Sequence, residues 1–132
     1  MCVRSKPGVP RARGVAPDAV TTPLAADALV VLVGPSGSGK STWATDRFAP
    51  SEIVSADAFR ELVTGDAADQ SATADAFKMM HSVAKGRLRR GLRTVVDATN
   101  LTERARRQLL RLAESAGRPV VAVAFDVSLE RC

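Results

Sequence analysis

Leu29-Val30-Val31-Leu32-Val33-Gly34-Pro35-Ser36-Gly37-Ser38-Gly39-Lys40-Ser41-Thr42 decides the reading of this chain. Leu29 to Val33 is a short apolar run rich in β-branched residues, the pattern of a strand buried on both faces. Gly34 to Ser41 then fits G-x-x-x-x-G-K-[ST], a phosphate-binding loop. Its glycines let successive backbone N–H groups turn inward toward phosphate oxygens, with no Cβ in the way. The helix expected next adds the positive end of its dipole at the same place. The residues assigned to the nucleotide are therefore Gly34, Pro35, Ser36, Gly37, Ser38, Gly39, Lys40, Ser41 and Thr42. Lys40 is placed on the β- and γ-phosphates and the Ser41 hydroxyl on Mg²⁺, which implies ATP with Mg²⁺ as the bound species. A Gly/Ser-rich turn matching by chance would lack both the buried strand before it and the helix-compatible residues after it.

The chain has 132 residues, 45% of them hydrophobic, which bounds it to one domain with enough apolar surface for a core. No stretch approaches the roughly 20 apolar residues of a membrane span, and no continuous apolar segment follows the basic N-terminus as in a secretory signal. Cys2 and Cys132 stand at the two ends, so free thiols in a reducing cytoplasm are expected rather than a disulfide. The formal charge is +5, of which residues 1–27 account for +2. Such a surplus is compatible with a polyanionic substrate without demanding one.

Residues 1–27 carry Pro7, Pro10, Pro17 and Pro23 and no apolar periodicity, which predicts a flexible basic leader before a domain spanning 28–132. Helix signals run from Lys40 to Phe48, with Trp43 read as packing on the sheet and nucleobase stacking as its alternative. Glu52 to Ser55 reads as a strand, and Asp57 to Thr64 as a short helix ended by Gly65. Thr73 is the expected N-cap of a helix whose inner stripe is Phe77, Met80, Ala84 and Leu88, with Gly91 after its end. His81, beside that stripe, reads as a packed or capping group. Lys85, Arg87, Arg89 and Arg90 are accounted for by the dipole at the helix C-terminus. Arg93 to Val96 and Val120 to Phe125 are further strands. Between them Thr102 caps a helix with Ala105, Leu109, Leu112 and Ala116 inside, stopped by Gly117 and Pro119. Strand and helix alternate, so the expected fold is α/β: a parallel sheet with helices on both faces.

In such sheets ligands bind beyond the carboxyl ends of the strands. The phosphate loop follows the first strand, Asp57 the second, and Asp97 the third. Val95-Val96-Asp97 is a Walker B pattern, an apolar strand ending in a carboxylate that serves Mg²⁺ directly or through water. Asp57 and Arg60 are three apart at a helix start and share a face. A carboxylate there can accept the proton of an attacking hydroxyl, and an arginine can hold a phosphate bidentately. An N-cap aspartate with a surface ion pair would give the same spacing.

Leu32 to Thr42, Asp57-x-x-Arg60, the block Asp69 to Phe77, and Val95-Val96-Asp97-Ala98-Thr99-Asn100 together resemble the kinase module of bacterial polynucleotide kinase-phosphatases. That module is similar to the phage polynucleotide 5′-kinase. The resemblance runs from about Leu29 to the end of the chain. It implies a P-loop fold like that of nucleoside-monophosphate kinases, and ATP-dependent transfer to a 5′-hydroxyl of RNA or DNA. Asp57 would be the general base, Arg60 would hold the neighbouring phosphate of the nucleic-acid acceptor, and Asp97 would support the metal. Lys40, Asp57 and Arg60 are thus the expected catalytic residues. Such kinases carry a lid with arginines after the fourth strand, and Cys132 precedes it. The expectation is therefore a kinase module cut short, with no membrane partner and reduced turnover. The readings kept beside it are a small-molecule or peptidoglycan-sugar kinase of similar fold, and an ATP-binding module without catalysis.

Overall fold

A computed structural model describes residues 13–15, 25–100 and 102–125. Its strands are β1 (Arg13–Val15), β2 (Leu29–Val33), β3 (Ile53–Ser55), β4 (Thr94–Asp97) and β5 (Val120–Ala124). Its helices are α1 (Lys40–Arg47), α2 (Ala56–Thr64), α3 (Thr73–Arg89) and α4 (Glu103–Ala116). The strands form one parallel sheet in the order β1-β5-β2-β4-β3. This is the expected α/β architecture.

The apolar runs explain the middle of the sheet. Every residue of β2 and of β4 is buried, and alternate side chains feed two separate cores. Leu29, Val31, Val33 and Val96 join Met80 and Leu88 of α3 and Leu109 and Ala113 of α4 on one face. Val30, Leu32 and Val95 meet Trp43 and Ala44 of α1, with Val123 and Phe125, on the other. Trp43 therefore packs α1 on the sheet, its ring edge-on to Phe125 at 5.7 Å between centroids. Truncating any one of Leu29, Leu32 or Leu109 to alanine would cost on the order of 2–5 kcal/mol.

Several elements differ from their expected outlines. Within residues 1–27, read as a leader without regular structure, Arg13–Val15 pairs with Val121–Val123 as the edge strand. An edge strand needs backbone partners on one side only, so it can form without the alternation that betrays a half-buried strand. The other residues of that leader before Ala25 lie outside the described residues, as do Cys2 and Cys132. Glu52 belongs to a 3₁₀ turn, Pro50–Glu52, which leaves β3 to start at Ile53. Thr73 is not a cap. Another 3₁₀ turn, Gln70–Ala72, runs straight into α3, and the capping carboxylate belongs to Asp69, which accepts from the Ser71 N–H at 2.9 Å.

The inner stripe of α3 is Ala76, Met80, Ala84 and Leu88, with Phe77 only half-buried. In α4 the fully packed positions are Leu109, Leu110 and Ala113, while Leu112 and Ala116 flank them. Thr102 does cap α4, accepting from the Ala105 N–H at 3.1 Å. Among the described residues no helix is long and apolar enough to cross a membrane.

Candidate functional site

The register brings three strand ends to one level, with Leu32 beside Asp97 and Asp97 beside Ser55. Each strand therefore releases its next residues at the same edge of the sheet. Beyond β2 the chain curls through Gly34 to Gly39 into α1. Gly37 and Gly39 have φ of 80° and 93°, the left-handed region that glycine enters without strain. Gly34 is glycine for a different reason. A Cβ there would stand 2.8 Å from the Phe125 carbonyl oxygen, because the tip of β5 closes against the loop.

Beyond β4, Asn100 holds the site's floor. It is buried, with φ of 51°, and its Nδ2 donates to the Leu32 carbonyl at 2.7 Å. The Gly34 N–H donates to the Thr99 carbonyl at 3.0 Å, so the turns after β2 and β4 are tied to one another.

A cavity of about 460 Å³ opens at this edge. Ser36, Gly37, Gly39, Lys40, Ser41 and Thr42 line it from the loop, Asp57 and Arg60 from α2, and Asp97 from β4. Gly34, Pro35 and Ser38 stand outside the lining and shape the loop instead. The Pro35 carbonyl accepts from Lys40 Nζ at 2.8 Å, and the buried Ser38 hydroxyl has no partner. Gln70, Thr73 and Phe77 complete the far wall, with Ala56, Ala98 and Thr99. Phe77 packs against the core, as its spacing expects, and also walls the cavity, which i, i+3, i+4 spacing does not show. Gln70 was legible only inside the Asp69–Phe77 resemblance block.

Burial lowers the pKa of the Lys40 ammonium, against the opposing pull of the Asp97 and Asp57 carboxylates. Ser41 Oγ donates to the Asp97 carboxylate at 2.7 Å. Arg60 bridges Asp57 and the Ala67 carbonyl, its Nε donating to the latter at 2.7 Å. Its side chain is only 12% exposed, whereas that of Asp57 is 68% exposed and open to an incoming group.

The Ser41 hydroxyl and Asp97 carboxylate are adjacent hard oxygen donors at the loop, the kind of set that suits Mg²⁺. No cluster of three or more His, Cys, Asp or Glu that could hold a metal exists among the described residues. The pair thus fits a Mg²⁺ that keeps waters and shares a ligand's phosphate oxygens, not one caged by protein alone.

The profile of an AAA domain family matches residues 29–132. The chain belongs to that family. No curated protein matches this AAA domain significantly. Among solved structures it is similar to a chain of the Pnkp1/Rnl/Hen1 complex, with TM-score 0.66 and 25% identity over 84% of this chain and 39% of that one. A Chloroflexus aurantiacus protein described as a kinase gives 0.64 and 20%, over 74% of this chain and 57% of that one. The APS kinase CysC of Mycobacterium tuberculosis gives 0.58 and 22%, over 75% of each chain. The chain spans less than two thirds of the length of the first two, 39% and 57%. Its fold is that of a P-loop kinase-like, nucleotide-binding domain.

Proposed function

We propose that this domain transfers the γ-phosphate of ATP to the 5′-hydroxyl of a polynucleotide. One observation carries the reading: the phosphate loop and the Asp57–Arg60 pair face a single cavity, which gives it a donor end and an acceptor end. The likeness to a chain of the Pnkp1/Rnl/Hen1 complex and the resemblance of the motifs to polynucleotide kinase modules supply the acceptor class.

In this reading the loop's N–H groups and the Lys40 ammonium hold the β- and γ-phosphates, Lys40 turning from the Pro35 carbonyl toward them. Arg60, anchored on the Ala67 carbonyl, positions the Asp57 carboxylate and presents its guanidinium to the phosphate beside the acceptor's 5′-hydroxyl. Asp57 takes the hydroxyl proton as the oxygen bonds to the γ-phosphorus and the bond to the β-phosphate oxygen breaks, leaving ADP. Mg²⁺ bound by Ser41, Asp97 and the donor's phosphates would neutralise charge on the transferring group.

The test is an acceptor panel with γ-labelled ATP and Mg²⁺. Label should enter a 5′-hydroxyl oligonucleotide and not the same strand already carrying a 5′-phosphate. Label passing only to small hydroxyl metabolites would make this a small-molecule kinase, and ATP binding with no transfer to any acceptor would make it a binding module.

A further inference from the structure

We propose that the outward face shared by α3 and α4 is a docking track for the body of a single-stranded polynucleotide whose 5′ end enters the cavity; the acceptor class rests on the function proposed above.

Both helices start at the edge of the sheet where the cavity opens. Thr73 and Phe77, in the first turns of α3, line that cavity, and α4 begins just after the Asn100 turn. They lie against the same sheet face, where Met80 and Leu88 share a core with Leu109 and Ala113. Their opposite faces therefore look outward together and lead away from the mouth.

Those faces are basic. Lys78, Lys85 and Arg89 recur at i, i+7 and i+11 on α3, and Arg104 and Arg111 at i, i+7 on α4, all five exposed. None of the five has an ion-pair or hydrogen-bond partner among the described residues. Asp75 stands one turn from Lys78 and Glu114 one turn from Arg111, but within α3 no acid stands one turn from Lys85 or Arg89, and Arg104 has none at i±3 or i±4. The helix dipole accounts for cations in the last turn and fades beyond it. Lys85 stands before the last turn, where the dipole no longer accounts for it.

From Lys78 to Arg89 is eleven residues of helix, roughly 16 Å at 1.5 Å per residue. That is the length of about five nucleotides at 3.4 Å per nucleotide along a stacked strand. Among the described residues the large apolar side chains left exposed are Leu62, Val63, Val83 and Leu92, and only Val83 is on these helices, at an angular position away from the lysines. A membrane-binding face would set apolar anchors beside the cations, and this one does not.

The test compares the wild-type chain with a Lys78→Ala/Lys85→Ala/Arg89→Ala variant, read by fluorescence anisotropy with a labelled 5′-hydroxyl 12-mer. The substitutions are exposed and suit a helix, so circular dichroism should be unchanged. Affinity for the 12-mer should fall at least tenfold at low salt. The slope of log affinity against log salt should become shallower by about 2, at roughly 0.7 per phosphate contact on a single strand. Lys78→Arg/Lys85→Arg should bind like wild type. Equal affinity of wild type and triple-alanine variant would overturn the track, whatever the acceptor panel shows. Phosphatidylserine vesicles bound more tightly than the 12-mer, and released in the variant, would assign the face to a membrane and also overturn it. An acceptor panel that fails while charge-dependent 12-mer binding holds would overturn the kinase reading alone.

Discussion

The Ser41 hydroxyl donates a 2.7 Å hydrogen bond to the Asp97 carboxylate, joining the first turn of α1 to the tip of β4 across 56 residues of sequence. The two groups come together because β2 and β4 are adjacent and in register, Leu32 beside Asp97. A phosphate loop and a strand-end carboxylate are thereby held as one unit before any ligand arrives.

Asp97→Asn keeps the shape of the side chain and can still accept from Ser41, but it removes the negative charge offered to Mg²⁺. ATP affinity measured with Mg²⁺ should fall by about tenfold or more, while affinity measured in EDTA and the melting temperature stay near wild type. Calorimetric titration in both buffers checks this. An unchanged Mg²⁺ requirement would reduce Asp97 to a turn residue.

Lys40→Ala removes the loop's one cationic side chain. Charge-assisted hydrogen bonds are worth about 1.5–3 kcal/mol, so ATP affinity should drop roughly ten- to a hundredfold. A fluorescent ATP analogue titrated against both proteins measures the difference. Equal affinities would remove Lys40 from the phosphate site.

Asn100→Ala should destabilise the fold by about 1–3 kcal/mol, because the buried Leu32 carbonyl loses its 2.7 Å side-chain donor. Alanine at φ of 51° adds about 1–2 kcal/mol of backbone strain. Asn100→Gly loses the hydrogen bond but not the conformation, so it should fall between alanine and wild type in urea denaturation. Equal loss in the two variants would show that the left-handed backbone contributes nothing.

These residues also mark what the chain could and could not disclose. Lys40, Ser41 and Asp97 are legible as neighbours because a G-x-x-x-x-G-K-[ST] loop after a buried strand, and an apolar strand ending in a carboxylate, fix their places at one edge of the sheet. The buried runs of β2 and β4 are legible too, since only apolar side chains suit both faces of a central strand. The place of Phe77 on the cavity wall is not. Period-3.6 spacing places that residue with the core, and only the neighbouring 3₁₀ turn, Gln70–Ala72, reveals that this edge of α3 borders a cavity. That same turn displaces Thr73 from the cap position. The stripe of α4 is legible in part: Leu109, Leu112 and Ala116 do face the core, but Leu110 and Ala113 are buried more deeply than Leu112, and depth among apolar neighbours depends on how the helix is rolled. The Arg13–Val15 strand is not legible, since Arg-Gly-Val is too short to show an apolar alternation.

His81 is half-buried, and desolvation lowers its pKa from the ordinary 6.5. The unfolded chain therefore binds a proton more readily than the folded one as pH falls through 6.5. Stability should fall as the pH drops through and below 6.5, and well above 6.5 this group contributes no slope. Thermal unfolding across that window should show a smaller decline in His81→Leu than in wild type. Parallel declines in the two proteins would mean that His81 is as free to protonate in the fold as in the unfolded chain.

The central claim is that Asp57 acts on the acceptor's hydroxyl while the loop holds the donor. Its most direct measurement is transfer of γ-labelled phosphate to a 5′-hydroxyl oligonucleotide by wild type and Asp57→Asn at matched, saturating ATP. General-base catalysis is worth about 10²–10⁴-fold, so the variant's transfer rate should fall by that order while its ATP affinity stays within about twofold of wild type. Transfer by Asp57→Asn at the wild-type rate would contradict the account, leaving Asp57 and Arg60 as a surface ion pair beside a nucleotide site.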